Sequence, residues 1–260
     1  MVRVQLHAAA EKWLKEYIDS FRDEKGSLHP LMEVKRTHSL RVRDNASKIA
    51  SELGWSGELL DCALTAALLH DTGRFPQFAE WGTYYDGASL DHGDLGEKTL
   101  REFFPDEKLA TYGRWEDILL AVKLHNKKEL PAGIAATAAP LVRIVRDSDK
   151  LDVFRLVRMH VEEERINELL PRIIPSGGYS EALVREVSTE KRASYSNVRS
   201  LSDFLLVQLS WVFDLNFAPS FRMLRGDGVL SWMERVLPPD ESVNAFIRSA
   251  LRHAMLGESA

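Results

Sequence analysis

Residues 62–75, CALTAALLHDTGRF, decide how the chain is read. From Cys62 to Leu69 there is no charge, and Ala and Leu, both good helix formers, dominate. With no polar stripe, this helix is expected to be buried nearly all round, in the centre of a bundle. It runs into an adjacent His70 and Asp71. An imidazole and a carboxylate at the end of such a helix are costly to bury unless something satisfies them, and one metal ion satisfies both. Gly73 suits a chain leaving the helix.

Outward from that stretch, nearly every segment longer than ten residues carries the 3.6-residue period, and strand-like alternation is scarce. The fold class expected is therefore all-α, without internal repeats. An amphipathic helix is expected over 4–22, and a second from Leu31 or Glu33 to Leu53, closed by Gly54, with His38, Val42, Asn45 or Ala46, and Ile49 along its inner line. The third covers 57–71. Residues 75–91, FPQFAEWGTYYDGASLD, combine one proline, two glycines and five aromatics without helical spacing. They read as a long functional loop or lid, with an ordinary packed connection as the alternative. Asp91 is a suitable N-cap for a helix to about Phe104 on which His92, Leu95, Thr99 and Phe103 share a face. A helix over 114–126 aligns Trp115, Ile118, Val122 and His125, and a long helix after Pro140 carries Asp147 and Asp149.

Beyond about 161 no further cluster of metal-ligand types occurs. Helices are expected at 180–190, 199–214, 228–236 and 241–255. The chain thus divides into a core over 1–160 and a helical extension over 161–260 packed on it, whose helices complete the bundle or form a homodimer surface, with a separate functional domain as the alternative.

Composition narrows the classes of function. Of 260 residues, 45% are hydrophobic and 28% charged, and the formal net charge of -5 argues against a broad basic surface for duplex nucleic acid. The single cysteine, Cys62, excludes an intrachain disulfide and reads as a small buried hydrophobe. That cysteine usage leads us to expect a cytoplasmic protein, and no membrane insertion is expected, because no apolar run approaches the roughly 20 residues of a spanning helix and MVRVQLHAAAEKW lacks a signal-peptide apolar region.

The chemistry lies in a joint pattern. His38, His70, His92 and His125 fall at core-facing positions of four helices, one is followed directly by aspartate, and an acidic pair sits on a fifth. Together they offer nitrogen and oxygen donors for one or two borderline metal ions. His7, His29, His160 and His253 have no such setting. Asp147 shares a face with Ile144, Leu151 and Phe154, Asp149 with Val142, Val145 and Val153. Two residues apart on a helix they point about 200° from each other, so only one can be a ligand.

His38 in THSLRVRDNASKIA, the doublet in LLHDTGRF and the aspartate in RDSDKLD resemble the H…HD…D pattern of the HD-domain superfamily of metal-dependent phosphohydrolases, over roughly residues 30–155. His92 in DHGDLG and His125 in KLHN are similar to the two extra histidines of its two-metal branches, including cyclic-nucleotide and HD-GYP phosphodiesterases. The GYP tripeptide is missing after His125, where the chain reads NKKELP, and Arg74 stands where many relatives have lysine. The resemblance implies an HD-domain helical bundle with additional C-terminal helices. It also implies that His38, His70, Asp71 and Asp149 hold one divalent ion (Mn, Fe, Zn, Co or Ni), with Asp71 bridging to a second held by His92 and His125. The choice of Asp149 over Asp147 follows the family's D-x-L form. Asp71 and Arg74 are the catalytic candidates: two ions would activate a water for attack at phosphorus, and Arg74 would bind a substrate phosphate or else form a salt bridge to a nearby carboxylate.

The substrate implied is a nucleotide or other small phosphate ester. Phe75, Phe78, Trp81, Tyr84 and Tyr85 would stack on a base or simply pack. Two other readings share the fold: a mixed-valence di-iron oxygenase using the same six ligands, and a non-catalytic nucleotide-sensing module.

Overall fold

The computed structural model describes residues 6–105 and 113–257, and their regular elements are all helical, with one isolated bridge between Ile174 and Ser200. The all-α expectation holds. Contacts divide the chain into two compact units, Met1–Asp149 and Lys150–Ala260, so the division falls inside a single helix. The boundary expected from the change in ionisable pattern is residue 160.

The first unit contains α1 (Leu6–Asp19), α2 (Pro30–Glu52), α3 (Gly57–Leu69), α4 (Arg74–Trp81), α5 (His92–Phe103), α6 (Trp115–Leu124) and the first part of α7 (Ala139–Glu162). Helix α3 packs against α1, α2 and α6. Ala63, Ala66 and Ala67 keep the helix slim enough for three neighbours, while Leu68 and Leu69 are fully buried and contribute about 2 kcal/mol each. Thr65 satisfies its hydroxyl by donating to Asp61 O at 2.7 Å. The Asp61 carboxylate accepts from the backbone N–H groups of Leu6 (2.8 Å) and His7 (3.1 Å), so α3 caps the start of α1. The inner line of α2 is as expected, with His38, Val42, Asn45, Ala46 and Ile49 all buried.

Three local features differ from the sequence reading. The stretch 75–91 begins in a helix, α4, rather than a continuous loop. Pro76 is its third residue, where a missing N–H costs no helical bond, and Gly82, at φ +64°, ends it with its N–H on Phe78 O at 2.8 Å. The second difference is the buried face of α5, which is His92, Gly93, Gly96, Thr99 and Leu100, while Phe103 is 54% exposed. The third is Gly73, which is needed for space rather than for an unusual backbone. Its φ is -66°, but a Cβ there would lie 2.3 Å from His92 O and 2.5 Å from Gly96 N. A Cβ on Gly93 would meet Lys123 O at 2.5 Å. The glycines of HDTG and DHGDLG thus let the turn after α3, helix α5 and helix α6 meet backbone to backbone.

The second unit holds the rest of α7 and α8 (Ile166–Leu169), α9 (Glu181–Glu190), α10 (Leu201–Ser210), α11 (Ala218–Gly226), α12 (Val229–Val236) and α13 (Glu241–Leu256). Every residue of α10 is buried, and it starts in a capping box in which Ser200 and Asp203 satisfy each other's backbone N–H. The run expected over 199–214 breaks at its end into a separate short 3-10 turn, Trp211–Asp214. Helix α11 is an addition to the expected set, with Pro219 in its first turn. Among the described residues no helix is long and apolar enough to cross a membrane.

Candidate metal centre

All the side chains of this centre belong to the first unit. Helix α3 ends at Leu69, and His70 is its C-cap, still in helical conformation. That places the His70 Nδ1 2.7 Å from Ala67 O. The end of α6 repeats the arrangement: His125 is the C-cap, with Nδ1 2.7 Å from Val122 O. A carbonyl can only accept, so both rings carry their proton on Nδ1 and present a lone pair at Nε2. His92 opens α5, where Asp91 caps the helix by accepting from Gly93 N (2.9 Å) and Asp94 N (3.0 Å). Its Nδ1 is 2.7 Å from Asp86 Oδ2.

The four imidazoles meet around Asp71, which is 2% exposed. On one side its Oδ2 lies 3.5 Å from His38 Nε2 and 3.6 Å from His70 Nε2. Asp149 Oδ1 completes that group at 3.1 Å from His38 Nε2 and 3.8 Å from His70 Nε2. On the other side Oδ1 lies 3.7 Å from both His92 Nε2 and His125 Nε2. The histidine nitrogens are themselves close, 3.2 Å between His70 and His38 and 3.0 Å between His92 and His125. Such separations suit atoms sharing one ion at about 2.1 Å, which lie roughly 3 to 3.5 Å apart. Two Nε2 lone pairs facing each other at 3.0 Å, as in His92 and His125, repel unless a cation sits between them. The donor set therefore fits metal, and His38, His70 and Asp149, like His70, Asp71 and His125, are grouped tightly enough to hold an ion. Asp147 is fully buried and belongs to neither group.

Electrostatics favour the ligand forms. Burial depresses His70 to about 3 and His92, helped by the nearby Arg74 cation, to about 4. Both rings are neutral at pH 7, as a ligand must be. Burial alone would raise Asp71, but Lys35, His70, the contact with His125 and Arg74 outweigh it and hold the carboxyl well below its ordinary range. Asp149 is likewise lowered, because its bond to His38 and the closeness of His70, His38 and His125 outweigh the cost of burial.

Among the supporting residues, Lys35, Gln77, Asp86 and Arg146 are not singled out by the sequence reading. Lys35 Nζ is 2.8 Å from Asp71 Oδ2; it precedes His38 by three positions, so helical spacing puts both on one face. Asp86 accepts from Arg74 Nη1 (3.0 Å) and Gln77 Nε2 (2.8 Å) as well as meeting His92. Arg74 Nη1 also donates to Gln77 Oε1 (2.8 Å) and Tyr84 O (2.6 Å), and its Nε is 3.6 Å from Asp71 Oδ1. Arg146 Nη1 donates to the carbonyls of Leu124 (2.9 Å), His125 (3.1 Å) and Lys127 (2.7 Å), pinning the chain where α6 ends. Asn45 Nδ2 donates to Ser148 O at 3.0 Å and so ties α2 to α7 beside Asp149.

The other histidines stand apart. His29 caps α2 and packs on Phe78, the His160 Nδ1 is 2.8 Å from Leu156 O, and His253 packs on Phe213 and Phe221. Of the aromatics after the doublet, Phe75 is fully buried, with Phe21 at 5.9 Å, and is not free to stack on a ligand. Phe78 and Tyr84 pack together at 5.0 Å.

Among protein families the HD domain matches residues 36–185, a span that includes His38, His70, Asp71, His92, His125 and Asp149. Comparison with curated proteins and with solved structures yields no match.

Proposed function

The chain belongs to the HD domain family, whose members are mostly metal-dependent hydrolases, and from that premise we propose that it hydrolyses a nucleotide or another small phosphate ester. The observation that carries this reading is Asp71, one buried carboxylate with an imidazole pair on each oxygen. His38, His70, Asp149 and Asp71 Oδ2 would hold one divalent ion, and His92, His125 and Asp71 Oδ1 a second. When bound, such ions supply Lewis acidity, lowering the pKa of a water toward neutrality and drawing off charge that develops on phosphoryl oxygens. The rest falls to the protein. The carbonyls of Ala67 and Val122 and the Asp86 carboxylate fix the tautomers of His70, His125 and His92, so the ligands are oriented in advance. Arg74, locked by Asp86, Gln77 and the Tyr84 carbonyl, keeps its cationic edge toward Asp71.

The test is metal analysis of protein purified without chelator, followed by a phosphate-release screen of nucleoside monophosphates, triphosphates and cyclic nucleotides with Mn²⁺ or Co²⁺. Release is expected from at least one ester and is lost in His70→Ala and Asp71→Ala. Full activity in both variants, or oxygen consumption in place of phosphate release, would overturn the reading.

A further inference from the structure

Asp71 has a cation near each oxygen: Lys35 Nζ at 2.8 Å from Oδ2 and Arg74 Nε at 3.6 Å from Oδ1. Both cations also lie over the Tyr84 ring, with Lys35 Nζ and the Arg74 guanidinium carbon each 5.6 Å from its centroid. Resting on the phosphohydrolase reading above, we propose that Lys35, Arg74 Nε and the Tyr84 hydroxyl form the anchor for the substrate's phosphoryl group, and that the group is a terminal phosphomonoester.

Two atoms carry the argument. The Tyr84 hydroxyl and Arg74 Nε are both buried, and neither has a hydrogen-bond partner among the described residues. Buried polar groups are nearly always partnered, so two orphans on neighbouring side chains call for an explanation. Misplaced packing does not supply it for Arg74. Its Nη1 makes three hydrogen bonds of 2.6 to 3.0 Å, so the guanidinium is held firmly with Nε left over. Tyr84 is tied to the same unit through its backbone carbonyl, and the charges its phenol senses are Arg74 and Asp71. Lys35 spends one of its three ammonium donors on Asp71, leaving two.

The chemistry of this trio matches one ligand class. Beyond their pairing with Asp71 and Asp86, the two remaining Lys35 donors, Arg74 Nε and the Tyr84 hydroxyl offer four donors to one anion, which suits the three terminal oxygens of a doubly charged phosphomonoester near neutral pH. A diester has two terminal oxygens and one charge, so it presents these donors with fewer and weaker charge-assisted acceptors. The anchor therefore discriminates by the charge and number of the oxygens it meets.

The chain loaded with Mn²⁺ is titrated calorimetrically with inorganic phosphate, assayed on 4-nitrophenyl phosphate and bis(4-nitrophenyl) phosphate, and melted. Tyr84→Phe removes only the hydroxyl. It is expected to melt at or above the wild-type temperature, since it deletes an orphan, while phosphate binding weakens about tenfold or more. Lys35→Met should weaken phosphate binding further, and the wild type should prefer the monoester. A Tyr84→Phe protein that binds phosphate as tightly as wild type, or that melts lower, overturns the anchor, as does a wild type that prefers the diester; this last result leaves the phosphohydrolase reading standing. Tyr84-dependent phosphate binding without turnover of any ester would support the anchor and count against the phosphohydrolase reading.

Discussion

The two oxygens of Asp71 face unlike surroundings. On the Oδ2 side two imidazoles are joined by a second carboxylate, Asp149, and by Lys35. On the Oδ1 side there are two imidazoles and a guanidinium, and the carboxylate, Asp86, stands behind His92 rather than among the ligand atoms.

The difference teaches that a shared carboxylate need not make equal sites. Charge density favours the Oδ2 side for a divalent ion, since it adds a full negative ligand to the same pair of imidazoles. The Oδ1 side depends instead on an outer carboxylate to orient its ring.

Removing the shared group should break both sides at once. Asp71→Ala is expected to lower phosphate release at least ~10³-fold, as loss of a residue essential to a catalytic unit does, and to reduce bound metal on both sides, checked by steady-state kinetics and metal analysis. Asp86→Ala should separate them. Loss of the Nδ1 partner of His92 is expected to weaken the Oδ1-side ion by roughly 10- to 100-fold while the Oδ2-side ion stays bound, which a titration of metal occupancy against chelator would read as one early and one late loss. Equal loss from both sides would erase the distinction drawn here.

Acid provides the mildest test. His70 and His92 start from an ordinary value of 6.5 and fall to about 3 and about 4 in the folded chain, so between those limits the unfolded chain binds more protons. Stability of the metal-free protein should therefore be full above pH 6.5 and decline as pH falls, each histidine contributing a slope of up to about 1.4 kcal/mol per pH unit. His92 stops contributing near pH 4 and His70 near pH 3. Below 3.8 the lowered carboxyls of Asp71, Asp86 and Asp149 add to the loss in the same direction. Denaturant melts of chelated protein from pH 7 to 4 would show the decline, and a flat profile would contradict it.

Much of this arrangement is legible in sequence because it is local. The charge-free run before His70 forces that helix inward, Asp91 is a recognisable cap, and helical spacing puts His38 and His125 on buried faces. Helical geometry also separates Asp147 from Asp149, though it does not choose between them; it is the convergence of α2, α3 and α7 that sets Asp149 against His38. What stays hidden depends on partners distant in sequence. Nothing near Asp86 announces that it meets His92, Arg74 and Gln77, and Lys35 gains meaning only when α2 is laid beside the end of α3. Helix α4 is concealed for another reason: a proline and several aromatics resemble a loop, although Pro76 occupies a first-turn position that tolerates it.

The glycine contacts have a consequence for variation. At position 73 the obstruction to any side chain is backbone, and at 93 backbone together with the Asn126 amide, whereas at 96 the nearest atom is a Val122 methyl at 3.0 Å. A saturation library across these three codons should accordingly return glycine alone at 73 and 93 but admit alanine at 96, so that room, more than reactivity, governs which sequences can carry this centre.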